Sequence, residues 1–211
     1  MLRTVMFTLV AALVSLDITV FGQFMVSRPL VCGPLFGYLA GDIKTGLWIG
    51  MIVELIWIGS IPMGAAIPID VTTITILSTI WSIALPGDQR HGIAILALAL
   101  ALPAGALFRQ LDIALRYFNI RIVHWIEDGL EQGKDGRINR AIHIGLLLVF
   151  IKSFIFYITL SYAGIWLLSH LLPHLSETLL SGFELAWILL PLVGFGMVVV
   201  NFRSDKFPYF R

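Results

Sequence analysis

The chain has 211 residues, of which 58% are hydrophobic and only 13% are charged, and its net charge at pH 7 is +1. A soluble domain of this length carries more charge and a nucleic-acid-binding protein needs a basic face, so the composition argues against both classes. Long apolar runs recur along the chain, and they do not alternate as the strands of a membrane barrel do. We therefore predict an all-α, polytopic helical membrane protein with one transmembrane domain over residues 1–211.

About 20 apolar residues are needed to cross a bilayer as a helix. Six segments approach that length, and the first is interpreted as a retained helix that Asp17 interrupts near its end. The predicted spans are residues 4–22, 43–60, 67–86, 91–108, 142–169 and 183–201.

Two apolar segments are poor candidates for a regular span. Residues 29–41, PLVCGPLFGYLAG, are too short and too rich in glycine and proline, which is typical of a reentrant or broken helical hairpin. Residues 60–70, SIPMGAAIPID, contain two prolines and predict an irregular break. Non-helical backbone at membrane depth is tolerated only where protein buries it or where it lines a cavity.

Residues 109–140 mix acidic and basic side chains with Leu, Ile, Phe and Trp. We predict an amphipathic helical insert, which lies at the membrane interface or against a soluble partner, or else is a solvated connecting helix. The insert and the C-terminal tail are rich in Arg and Lys, whereas residues 170–182 contain neither. The positive-inside rule then places the insert and the tail in the cytoplasm and residues 170–182 outside.

Glu54 lies within an apolar segment, where an ionisable side chain is costly and usually marks a substrate or ion path. Gly46, Gly50 and Glu54 are spaced by four residues and so share one helix face. The two glycines allow another backbone to approach closely, as in small-xxx-small packing. We therefore expect Glu54 to face a helix interface or a cavity, with a functional role.

The preceding segment repeats this spacing in Gly33, Gly37 and Gly41. Two glycine-faced elements in series predict a tightly packed hairpin with Asp42 and Lys44 at its turn. These two charges are also explained as solvated residues of an interfacial loop. Asp70 follows the irregular break and is either a helix N-cap or a cavity residue.

Residues 27–80 carry a recognisable series of motifs: RPL, GDIKTG, a helix with Gly50, Glu54 and Gly59, then GAAIPID and a following Ser-Thr. In order and spacing they resemble the IIC component of the mannose/fructose/sorbose family of the bacterial phosphotransferase system. Weaker similarity continues through Ile142 and His143 into GMVVVNFRSDKFPYF, so the resemblance covers most of the chain.

The resemblance implies a sugar-translocating subunit that is multi-pass in the bacterial cytoplasmic (inner) membrane. It implies a second membrane subunit, IID, and cytoplasmic IIB and IIA subunits, with IIB phosphorylating the incoming hexose. It also implies reentrant hairpins and assembly as a homo-trimer or a trimer of heterodimers. Family members usually continue with further apolar segments beyond the FPYF stretch, whereas this sequence ends at Arg211.

A sugar held at mid-membrane needs buried carboxylates and amides on close-packed helices and broken backbone. We predict that Glu54 and Asp70 bind the sugar with Gln23 as a neutral partner, and that Arg28 and Lys44 neutralise the carboxylates in its absence. Asp42 completes the candidate substrate-binding set. We predict no catalytic residue, metal or cofactor in this chain, because no residue has the setting of a phosphoryl acceptor.

Two other function classes are considered. One is a non-transporting relative that serves as a membrane docking or regulatory subunit. The other is an intramembrane hydrolase, which the motifs disfavour because LAGD lacks the G-x-G-D spacing of an aspartyl type and no G-x-S-x-G is present.

Overall fold

The computed structural model describes residues 2–17, 20–59, 68–85, 90–131 and 136–202. These residues form seven α-helices and a short 3-10 turn, and they contain no strand, in agreement with the predicted all-α class. The helices are α1 (Leu2–Leu16), α2 (Pro29–Ala40), α3 (Ile43–Ile56), α4 (Val71–Ala84), α5 (Arg90–Glu131), α6 (Gly136–Leu171) and α7 (Glu177–Phe202), with the 3-10 turn at Leu172–His174.

Three of the helices, α5, α6 and α7, are long and apolar enough to cross a membrane. They contain the predicted spans 91–108, 142–169 and 183–201. Helices α1 to α4 have only 12 to 15 residues. At 1.5 Å per residue they reach about 18–23 Å, less than the roughly 30 Å hydrocarbon core.

The spans predicted over 4–22, 43–60 and 67–86 are therefore longer than the helices observed there. Helix α1 ends at Leu16, just before Asp17, and α3 ends at Ile56 in a turn over 57–59. Helix α4 begins only after Asp70, whose carboxylate caps it. Of the break predicted over 60–70, residues 68–70 are non-helical as expected, and 60–67 lie outside the described residues.

Helices α2 and α3 form the predicted hairpin through a tight turn. Gly41 has φ +98°, a left-handed conformation that glycine adopts without steric cost, and its N–H donates to the Gly37 and Tyr38 carbonyls. Asp42 then caps α3, accepting hydrogen bonds from the Thr45 N–H at 3.2 Å and the Thr45 hydroxyl at 2.7 Å. The chain thus reverses direction over two residues.

The glycine faces of the two helices lie directly against each other. A Cβ added at Gly33 would stand 2.9 Å from the Cα of Gly50, and one at Gly46 would stand 2.8 Å from the Cα of Gly37. Real Cβ atoms are essentially never that close to backbone, so both helices need glycine here. This confirms the tight hairpin predicted from the four-residue spacing.

The insert predicted over 109–140 is not a separate helix. Its residues up to Glu131 continue α5, which is unbroken from Arg90, and those from Gly136 onward begin α6. Residues 132–135 between them lie outside the described residues. Several large apolar side chains of this part of α5 are exposed, including Tyr117 at 70%.

Helix α4 lies at the centre of the fold, with α2, α3, α5 and α6 packed around it. Its residues from Thr72 to Ser82 are all buried. The hydroxyls of Thr75, Ser78 and Ser82 donate to carbonyls one turn earlier, which satisfies their hydrogen bonds inside the helix. Helix α4 is therefore the buried helix around which α2, α3, α5 and α6 pack.

Candidate functional site

The α1–α2 loop contacts both the end of α3 and the start of α4. Asp17 accepts hydrogen bonds from the Phe24 N–H at 2.6 Å and from the Ser27 N–H and hydroxyl at 3.1 Å each. The Thr72 hydroxyl donates to the Ser27 carbonyl at 2.7 Å. The loop is thereby fastened to the end of α1 and to the central helix.

The backbone of this loop is strained. Gln23 and Met25 have φ +53° and +64°, a left-handed region that costs residues with a Cβ about 1–2 kcal/mol each. The Asp17 carboxylate binds the residues on both sides of Met25 and so holds this conformation. Gln23, a predicted sugar-binding residue, is exposed in this loop. Strain of this kind, held by surrounding contacts, is found mostly at functional sites.

Glu54 pairs with Arg28 across the α2–α3 hairpin. The Arg28 Nη1 lies 2.9 Å from Glu54 Oε1, and the Leu30 N–H, in the first turn of α2, lies 3.4 Å from Oε2. The Glu54 side chain is 18% exposed and that of Arg28 is 56% exposed. The carboxylate thus sits at a helix N-terminus, where the dipole favours it, and the more exposed Arg28 guanidinium binds one of its oxygens. That Arg28 neutralises it in the absence of sugar stays a prediction.

Asp70 is the N-cap of α4, which settles one of its two predicted roles. Its Oδ1 accepts a hydrogen bond from the Thr73 N–H at 2.6 Å. The Thr73 hydroxyl in turn lies 2.9 Å from the Tyr157 hydroxyl of α6. Asp70 and Glu54 lie within electrostatic range of the same buried side chain, Cys32 of α2.

The sequence reasoning missed two charged residues beside Asp70. Lys152 of α6 forms an ion pair with Asp112 of α5, and its Nζ lies 3.8 Å from the ring centroid of Phe108. Both charges are within electrostatic range of Asp70. Lys152 could have been recognised from the sequence, because it is an ionisable residue inside the predicted span 142–169.

Asp42 and Lys44 lie at the opposite end of α3 from Glu54. Lys44 and Glu54 are ten positions apart along α3, which corresponds to about 15 Å. The structure does not bring Lys44 to the Glu54 carboxylate, and Arg28 is the cation there. Asp42 caps α3 and lies 3.9 Å from Arg90, while Lys44 lines a cavity with aromatic side chains. Of the six predicted residues, Arg28 and Glu54 are thus paired, whereas Asp42 and Lys44 lie at the other end of α3.

A family model described as the PTS system sorbose-specific IIC component matches residues 1–210 of the chain. The mannose-specific EIIC component of Escherichia coli (strain K12) is 29% identical over 215 residues, which cover 99% of this chain and 77% of that protein. The sorbose-specific EIIC component of Klebsiella pneumoniae is 28% identical over 185 residues, covering 86% and 66% of the two chains.

Two solved structures have a similar fold. A cryo-EM structure of the mannose transporter ManYZ in complex with microcin E492 matches with a TM-score of 0.68 and 25% identity, covering 100% of this chain and 84% of that one. A second structure, described as a membrane protein, matches with a TM-score of 0.77 and 26% identity, covering 100% and 83%.

Proposed function

The chain belongs to the sorbose-specific IIC family of the phosphotransferase system, and on that premise we propose that it binds an incoming hexose at the Arg28–Glu54 pair. As a member of this family it is a multi-pass membrane component of sugar transport. The relatives are named for mannose, sorbose and fructose, which are all hexoses.

The proposal rests on one observation. The Glu54 carboxylate is held at the N-terminus of α2, and the cation paired with it, Arg28, is exposed enough to move away. Glu54 is anchored by the Leu30 N–H, whereas Arg28 is more than half exposed and can turn away. A carboxylate oxygen released by Arg28 accepts a hydrogen bond from a sugar hydroxyl, and the guanidinium donates to a neighbouring one. Asp70 and Gln23, from the two adjoining breaks, supply further polar groups for the same sugar.

IIC components work with other subunits of the phosphotransferase system. We propose that this chain pairs with an IID membrane subunit, and that IIB, charged by IIA, phosphorylates the sugar on the cytoplasmic side. We further propose assembly as a homo-trimer or a trimer of heterodimers, as the family resemblance implies. The outer face of α7 exposes large apolar side chains, among them Ile188, Leu192 and Phe195, which suits contact with lipid or with another membrane subunit.

Glu54→Gln should weaken hexose binding with little effect on folding. Glutamine keeps the size of the side chain and an acceptor for Arg28, but it removes the charge on which a strong hydroxyl contact depends. Affinity should fall by about 1.5–3 kcal/mol, the range for hydrogen bonds to charged groups, or roughly 10- to 150-fold. Calorimetric titration of the purified membrane complex with D-mannose, D-fructose and L-sorbose measures this, beside the melting temperature.

The matched control is Glu127→Gln, on the exposed distal part of α5, where Glu127 pairs with His124. That exchange should leave hexose affinity unchanged and should lower stability by at most about 1 kcal/mol. Unchanged affinity in Glu54→Gln, together with a lower melting temperature, would make Glu54 a structural residue and overturn the proposed site.

The orientation predicted from the basic residues places the α5–α6 connection in the cytoplasm and the α6–α7 connection outside. Asn139 and Ser176, one near each connection, are both exposed. In a Cys32→Ala background, Ser176→Cys should react with a membrane-impermeant maleimide in intact cells, and Asn139→Cys should react only after lysis. Labelling of position 139 in intact cells would show that the predicted orientation is wrong.

A further inference from the structure

The Asp70 carboxylate is joined to α6 by a chain of two hydroxyl groups. Its Oδ1 accepts the Thr73 N–H at 2.6 Å, and the Thr73 hydroxyl is also hydrogen-bonded to the carboxylate. The same hydroxyl lies 2.9 Å from the Tyr157 hydroxyl of α6. Asp70, in the non-helical residues before α4, is thereby linked through one residue of α4 to the middle of α6.

The direction of the two hydrogen bonds follows from the number of protons. A hydroxyl has one proton to donate, and an ionised carboxylate can only accept. Because the Thr73 hydroxyl donates to Asp70, it must accept from Tyr157, so both protons point towards the carboxylate. Hydrogen bonds in such a chain polarise one another, so each is stronger than it would be alone.

Packing alone does not explain the Tyr157 hydroxyl. The side chain is 1% exposed, and its ring packs against those of Phe108 and Phe156, with centroids 5.6 and 5.9 Å away. A phenylalanine would make the same ring contacts, and a buried hydroxyl pair adds little net stability over an apolar pair of the same shape. Three hydroxyls farther along α4 donate to carbonyls of their own helix, whereas that of Thr73 is directed to α6.

The chain leaves Asp70 free to accept further hydrogen bonds. A carboxylate has about four acceptor positions, and among the described residues only Thr73 donates to this one, with its N–H and its hydroxyl. The remaining positions are available to a ligand, and Asp70 is partly exposed. A hydrogen bond to a sugar hydroxyl depends on the direction of the carboxylate, so the chain that fixes this direction bears on binding.

We propose that Tyr157, acting through Thr73, is a positioning residue that holds the Asp70 carboxylate in the orientation that binds a sugar hydroxyl. Tyr157 itself does not touch the sugar, because its side chain is buried. The inference rests on the proposed hexose site and adds to it a residue of another helix, α6. Hexose affinity should therefore depend on a hydroxyl group that the ligand does not reach.

The test is calorimetric titration of the purified membrane complex with D-mannose, D-fructose and L-sorbose, beside its melting temperature. Tyr157→Phe keeps the ring and removes the hydroxyl. It should weaken binding of the recognised hexose about 2- to 12-fold, the range for the loss of one hydrogen bond. Thr73→Val interrupts the chain at its centre and should weaken binding at least as much, whereas Thr73→Ser keeps the hydroxyl and should bind with nearly wild-type affinity.

The two hydroxyls should act in series. Once Thr73→Val has broken the chain, adding Tyr157→Phe should lower affinity no further, which a double-mutant cycle measures. A purely structural role for Tyr157 gives a different result. It lowers the melting temperature and the number of binding sites, while the Kd of the sites that remain is that of the wild type. Additive losses in the cycle, or a wild-type Kd in Tyr157→Phe, would refute the positioning role.

Tyr162→Phe is the matched control, because Tyr162 also lies on α6 but is 44% exposed. It should change neither the affinity nor the melting temperature. If Glu54→Gln loses affinity while Tyr157→Phe retains it, the positioning role is refuted and the proposed hexose site stands. If the wild-type complex binds none of the three hexoses, both are refuted.

Discussion

Gly46→Val should destabilise the protein by about 3 kcal/mol or more, the upper end of the range for overpacked sites. A Cβ at this position would lie 2.8 Å from the Cα of Gly37 and would overlap the Gly33 carbonyl oxygen. Both are backbone atoms, so no side-chain rotation relieves the clash and the two helices must separate. The hairpin carries Glu54 and Arg28 on its two arms, so hexose affinity should fall as well.

Gly145→Val is the control for Gly46→Val. Gly145 also lies within a helix, and a Cβ placed there meets no atom within 4 Å. Both exchanges put a β-branched residue in place of helical glycine, so their intrinsic helix preferences cancel in the comparison. Thermal unfolding in detergent measures the difference. Equal melting temperatures for the two variants would show that the glycine contact contributes nothing to stability.

The α2–α3 contact was predictable because four-residue spacing places glycines on one helix face whatever surrounds them. The ends of the short helices were not predictable from the sequence. Helix α3 ends at Ile56 although apolar residues continue to Ile58, because hydropathy records how apolar a segment is and not where its backbone turns. The turn at the end of α1 depends on Asp17 binding Ser27, ten residues away, which no local pattern contains.

Local sequence patterns also pointed to some residues of the candidate site and not to others. Glu54 was recognised as an ionisable residue within an apolar segment, and it is paired with Arg28 in the structure. The predicted role of Arg28 in the absence of sugar stays a prediction. Lys44 was grouped with Glu54 although the two are ten positions apart along α3. Asp112 was missed because it falls in the segment interpreted as an insert, whereas α5 runs through it without a break.

Lys152→Met should also lower stability strongly, because it leaves Asp112 without the cation that the structure pairs with it. The two side chains are only 13% and 29% exposed, and the pair joins α5 to α6. Breaking a buried ion pair from one side typically costs about 3–5 kcal/mol, and this partly exposed pair should lie near the lower value. Methionine has a volume similar to that of the Lys152 stem, and the cation–π contact of Nζ with the Phe108 ring is lost with the charge, so the loss is chiefly electrostatic.

The double variant Lys152→Met/Asp112→Asn separates charge from packing. Removing both charges leaves no uncompensated carboxylate, so most of the lost stability should return, as it does when buried pairs are replaced together. Glu127→Gln, which breaks an exposed pair on the same helix, should cost at most about 1 kcal/mol. A double variant as unstable as Lys152→Met would show that the lysine acts through packing. Both charges lie within electrostatic range of Asp70, so the hexose affinity of Lys152→Met should fall. The affinity of the double variant should recover together with its melting temperature.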